Sequence, residues 1–181
     1  MALKRLFLFT ILSLFYLVVS WSQSKEAGPV IEDFGKVWGI ENPDYKTRLD
    51  QPLKVVFDIM NSPDSDEAMN ASIETAARFL NMHAQAGVPT ENLKAVMVVH
   101  NKASKDIITN TAYQKRFGKD NPNEPLIQAL LEAGVEIIFC GQSSLSRDFP
   151  REETIKGVQL GLSAMTALIQ LQNEGYQLIK F

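Results

Sequence analysis

The stretch Val135-Glu136-Ile137-Ile138-Phe139-Cys140-Gly141-Gln142-Ser143-Ser144 passes from a β-strand to the start of a helix. Val135 to Phe139 is an apolar run of strand length, and a Gly followed by small polar residues opens a helix behind it. The thiol of Cys140 therefore stands at a strand's carboxyl end, the edge at which open α/β sheets bind ligands. A following helix offers N–H groups and a dipole that favour thiolate over thiol. Cys140 is also the only cysteine in the chain, so an intramolecular disulfide is impossible.

The same alternation of strand and helix runs outward in both directions. Leu53 to Ile59 and Leu93 to Val99 are β-branched and apolar runs of strand length. Asn61-Ser62-Pro63 ends the first, and Asp64 with Glu67 has the form of a capping box. The helix behind it carries Met69, Ile73, Ala76, Ala77, Leu80 and Ala84 on one face, and Gly87-Val88-Pro89 ends it. Ile107 to Phe117 reads as a helix closed by Gly118. Asn121 to Pro125 reads as a turn, and Leu126 to Ala133 as a short helix. Arg151 to Asn173 reads as the longest helix, with Ile155, Val158, Leu162, Met165 and Ile169 on one face. Tyr176 to Lys180 is a final strand. Alternating strands and helices with continuous apolar strands predict an α/β fold, its parallel sheet covered on both faces. The strand-to-helix loops then share one edge. That edge collects Asn61 and Ser62, His100 and Asn101, and Cys140 to Ser144.

The amino terminus has the form of a targeting segment. Lys4 and Arg5 precede an apolar stretch from Leu6 to Val19, and Ser20-Trp21-Ser22 supplies small residues for cleavage. The stretch falls short of the ~18 to 20 residues of a comfortable membrane span. Residues 1–22 are therefore read as a cleaved signal peptide, and the mature chain as periplasmic or secreted, with no membrane attachment after cleavage. Without Lys4 and Arg5 the formal net charge moves from −3 to about −5, which argues against nucleic acid as a partner. Residues 23–51, rich in Gly, Pro, Asn and charge, read as an irregular arm with a short strand or hairpin near Phe34 to Trp38. Trp38 and Tyr45 are expected to pin it to a single domain spanning 52–181.

His100 ends the second strand and Cys140 the third. Strands consecutive in sequence are usually neighbours, and the strand spacing of about 4.8 Å brings the imidazole within reach of the sulfur. A histidine cation beside a thiolate lowers the thiol pKa. Gly141 permits close backbone approach, and Gln142 and Ser143 supply N–H and hydroxyl donors suited to a polarised or anionic group. Asn61 and Asn101 complete the candidate pocket. Asp58 is read as a structural hydrogen-bonding partner and Asp148 as a helix cap. Neither a phosphate loop nor a dinucleotide fingerprint is present, so no cofactor is expected. No metal site is expected either, because His83, His100 and Cys140 lie far apart and His83 falls within a helix.

The string Asn121-Pro122-Asn123 … Leu126-Ile127 … Leu130-Leu131 … Ala133-Gly134-Val135-Glu136-Ile137-Ile138-Phe139-Cys140-Gly141-Gln142-Ser143 resembles the DsrE/DsrF-like proteins, as does the histidine of Val98-Val99-His100. The resemblance covers roughly residues 53–181. It implies a flavodoxin-like three-layer α/β/α sandwich with a mostly parallel sheet, assembled as a homo- or hetero-oligomer, commonly a trimer or hexamer, and a homo-oligomer is expected here. It also implies that Cys140 carries sulfur as a persulfide and exchanges it with a thiol-bearing protein partner, with His100 and Gln142 in its pocket. The first functional reading is an exported sulfur carrier or sulfurtransferase. The alternative is a non-enzymatic oligomeric module that binds a small ligand or partner and uses Cys140 structurally. A thiol hydrolase built on Cys140 and His100 ranks third, for want of an orienting third group.

Overall fold

The computed structural model describes residues 24–180; the expected signal segment, residues 1–22, lies outside them. Five strands form one all-parallel sheet in the order β4-β3-β2-β1-β5. These are β1 (Leu53–Ile59), β2 (Leu93–Val99), β3 (Glu136–Cys140), β4 (Gln159–Gly161) and β5 (Gln177–Ile179). The helices are α1 (Ala71–Gln85), α2 (Asn110–Phe117), α3 (Glu124–Glu132), α4 (Gly141–Ser146) and α5 (Ala164–Asn173). This is a flavodoxin-like α/β fold, with β1 and β2 ending at the residues expected.

Side chains alternate across the sheet. Val55, Phe57 and Ile59 of β1, with Ala95, Met97 and Val99 of β2 and Ile137 and Phe139 of β3, meet α1 and α3 in the main core. The opposite face holds Val56, Val96, Val98 and Cys140 under Ala164, Ala167 and Leu171 of α5. The first three crossovers step across the sheet on the main-core face, whereas the last returns from β4 to β5 through α5 alone. On the α5 face Leu178 of the edge strand β5, paired with Val56, is 42% exposed.

Several expectations are corrected. The helix expected over 151–173 is instead a 3-10 turn at Arg151–Glu153, the short edge strand β4, and α5. Gly157 has φ 107°, which no right-handed helix accommodates. Gly161 packs so close to Ile138 that a Cβ there would lie 2.9 Å from Cγ2. Ile155 and Val158 do enter the core, but Leu162, Met165 and Ile169 are exposed. Asp64 and Glu67 cap no helix: α1 starts later, with the Asn70 carboxamide accepting the Ser72 N–H. Asp148 is likewise no cap, lying exposed at φ 56° after α4.

The arm carries one antiparallel bridge, Glu26 to Val37, but Trp38 and Tyr45 do not pin it; both rings are exposed. The clasp is Asn81 of α1, fully buried. Its Oδ1 accepts the N–H groups of Val30 and Ile31, and its Nδ2 donates to the carbonyls of Ile31, Phe34 and Gly35. Buried backbone polar groups require partners, and one carboxamide satisfies several here.

Candidate functional site

Cys140 is the last residue of β3 and the residue before α4, with extended backbone at φ −69°, ψ 116°. Its side chain faces α5 and is 5% exposed. Burial pushes the thiol pKa up, but hydrogen bonds outweigh it and the net shift is downward. The donors are the N–H and hydroxyl of Ser143 and the N–H groups of Ala164 and Gln142. Gln142 and Ser143 belong to the first turn of α4, and Ala164 is the first residue of α5. Two helix starts therefore converge on one sulfur, each presenting N–H groups that have no partner within their helix.

Supporting contacts hold these donors in place. The Ser143 Oγ accepts the Asn101 N–H at 3.0 Å, which leaves its own proton for the sulfur. Asn101 sits at φ 54°, a conformation Asn tolerates, and its side-chain oxygen accepts from Arg147. The Gln142 Nε2 reaches the Leu162 carbonyl at 3.4 Å. A Cβ on Gly141 would fall 2.7 Å from the Gly161 carbonyl oxygen. The close approach that Gly141 permits is thus that of the chain's own β4–α5 connection, which carries Ala164 to the thiol.

His100 continues β2 in extended conformation, its N–H donating to the Ile59 carbonyl. The last register pair of β2 and β3 is Val99 with Phe139, so His100 and Cys140 are the next pair, on the α5 face. No hydrogen bond joins the ring to the sulfur. Instead His100 Nε2 lies 2.7 Å from Asp58 Oδ1, and Lys180 Nζ lies 2.6 Å from Asp58 Oδ2. Asp58 is only 7% exposed at its side chain. Burial pulls its pKa up, but hydrogen bonds from Lys180 and His100 leave it below the ordinary carboxylate value. Asp58, read from the sequence as a structural hydrogen-bonding partner, thus holds the His100 ring. Asn61 stands apart: its side chain is exposed, and its carbonyl accepts from Asn70.

No cluster of three His, Cys, Asp or Glu side chains suited to a metal occurs among the described residues. A groove of about 820 Å³ runs along α1 beside β5, lined by apolar side chains such as Val55, Phe57, Phe79 and Ile179. It lies away from the thiol, and the chemistry of Cys140 outweighs its size in locating the site.

The chain belongs to the DsrE/DsrF-like family, whose model matches residues 54–181. Two solved structures share its fold. A protein of unknown function from Methanobacterium thermoautotrophicum is 16% identical with a TM-score of 0.53, the match covering 71% of this chain and 99% of that one. The ychN protein from E. coli is 17% identical with the same TM-score and coverage. Comparison with curated proteins returns no match.

Proposed function

We propose that this protein is an exported sulfur carrier in which Cys140 takes up sulfane sulfur as a persulfide and passes it to a partner thiol. The lowered pKa of the Cys140 thiol, which the N–H groups of Ser143, Ala164 and Gln142 and the Ser143 hydroxyl bring down against burial, supports this reading most directly. A thiolate is the nucleophile in sulfur transfer, and the donor set favours that form. A recessed sulfur also suits a carrier. Persulfide formation adds a second sulfur about 2 Å farther out, so the loaded form presents to a partner the atom to be transferred. Export rests on residues 1–22.

The same reading includes self-association into a trimer or hexamer. The apolar stripe Leu162, Met165 and Ile169, with Leu145 of α4, is exposed beside the cysteine edge. An apolar surface of this kind marks an interaction site. Met165→Glu is expected to reduce the mass measured by light scattering to that of a smaller species.

Intact mass spectrometry after polysulfide treatment tests the central claim. A reductant-reversible gain of one sulfur in the wild type, absent in Cys140→Ser, is expected. No adduct, together with resistance of the folded protein to iodoacetamide, would assign Cys140 to packing and favour the non-enzymatic binding module.

A further inference from the structure

The α5 face of the sheet carries a polar row at its carboxyl edge: Lys180 after β5, Asp58 in β1 and His100 after β2. Cys140 at the end of β3 continues it. The row follows from register. Asp58 pairs with Val98, two residues before His100 on the same face, and Phe57 pairs with Ile179, the residue before Lys180. A carboxylate this buried is costly unless paired, and Asp58 is paired on both oxygens by groups that reach it across strands. Aliphatic packing against Val56 would serve stability as well; the row is arranged instead around an imidazole.

The contacts divide the labour of a displacement reaction. The ring of His100 bonds Asp58 and makes no hydrogen bond to the sulfur, and the groups that hold the thiol pKa down are N–H groups and the Ser143 hydroxyl at the two helix starts, so the thiolate does not draw on the ring as its base. Asp58 engages Nε2, which leaves Nδ1 as the ring nitrogen with no partner among the described residues. His100 and Cys140 are the next register pair beyond Val99 and Phe139, so the ring and the sulfur stand side by side on one face of the sheet. We propose, resting on the sulfur-carrier reading, that His100 is the acid that protonates the departing sulfur of an alkyl persulfide donor. Asp58, braced by Lys180, is then the positioning residue that orients the ring.

The step balances. The Cys140 thiolate attacks the terminal sulfur of R–S–SH, a new S–S bond forms, and the donor's S–S bond breaks. The bonding pair leaves on the inner sulfur, which takes the proton of the His100 imidazolium. Cys140 persulfide, R–SH and neutral imidazole result, and no external oxidant or reductant is consumed. A group held in this way resembles the orienting carboxylate of a catalytic triad, but it serves the leaving group rather than the nucleophile.

The test compares two electrophiles on the full chain. Glutathione persulfide expels an alkyl thiolate that needs a proton, whereas iodoacetamide expels iodide, which needs none. In Asp58→Asn, sulfur loading is expected to slow by at least about tenfold, since positioned acids contribute ~100-fold or more, with little change in alkylation. His100→Gln is expected to show the same split, and adding Asp58→Asn to it should slow loading no further. Parallel losses in both reactions would make Asp58 merely structural and overturn the proposal. Loading at the wild-type rate in Asp58→Asn or His100→Gln would overturn it too. If Asp58→Asn does not fold, His100→Gln alone decides by the same split. A wild type that takes up no sulfur would instead remove the sulfur-carrier reading itself, a result distinguishable from either.

Discussion

Asp106→Asn is expected to flatten the dependence of stability on pH between about 4 and 7. Asp106 is 1% exposed beneath the loop that follows β1. Its Oδ1 accepts from the Ser62 hydroxyl at 2.9 Å, and its Oδ2 from Asn70 Nδ2 at 2.7 Å. Burial outweighs these bonds and pushes the carboxyl pKa up to about 6 from 3.8. A folded pKa above the unfolded one means that the native state prefers the protonated form. Its contribution to stability is therefore complete below about pH 3.8 and is lost as pH rises through 6. At 1.36 kcal/mol per unit, the shift costs about 3 kcal/mol at pH 7 relative to pH 4. Asp58 and Glu67, whose pKa values are lowered, act in the opposite sense: their contributions are lost as pH falls below the ordinary carboxylate range. Subtracting variant from wild type at each pH removes them.

Urea unfolding at half-unit intervals from pH 4 to 8 reads the difference. Wild type should gain on the variant as pH falls, by up to about 1.4 kcal/mol per unit between the two pKa values. The absolute stability of the variant is a separate matter, because an amide returns one acceptor and adds a donor within reach of Asn70. Two curves that stay parallel across the interval would refute the reasoning. The result bears on the site, because Asp106 lies in the 3-10 stretch Asn101–Ile107 whose first residue holds Ser143 against the thiol.

Three further outcomes follow from the same contacts. Gly141→Ala should displace the Gly161 carbonyl and draw the Ala164 N–H from the sulfur, raising the Cys140 pKa in the pH dependence of iodoacetamide alkylation while leaving the far-ultraviolet circular dichroism intact. The midpoint of wild-type alkylation should lie below the ordinary thiol value of 9.0, and Ser143→Ala should move it upward, because both the Cys140 shift and its donors have defined directions. Asn81→Ala leaves buried arm groups without partners and should cost about 2 to 3 kcal/mol in urea unfolding, with proteolysis appearing first between residues 28 and 40.

β1 and β2 were legible residue by residue because each is an uninterrupted apolar run flanked by turn chemistry. Cys140 and His100 were legible as edge residues for the same reason: once the strand ends were known, so was the edge. The segment 151–173 misled because spacing reports an apolar stripe without saying what covers it. Leu162, Met165 and Ile169 keep helical spacing on the outer side of α5 and before it, in a chain whose core Ile155 and Val158 enter from a different backbone conformation. Gly157 and Gly161 inside the supposed helix, each worth about 1 kcal/mol against it, were the available warning.

Asp58 shows what a one-dimensional reading loses and how it could be recovered. It lies one residue inside β1, where a local pattern offers only an acid at the end of an apolar run. Its role appears when β1 and β2 are set in parallel register, because residues of equal parity share a face. Asp58 then falls on the face of Val98 and His100, and the strand returning at β5 brings Lys180 to its other oxygen. Cys140 acquires its donors by the same kind of long-range closure: α5 begins 24 residues after the thiol, and its first N–H reaches the sulfur only because β4 pairs beside β3. The reactive atom can be read from the sequence at the strand end, whereas the groups that tune it arrive from strands and a helix whose positions the sheet order decides.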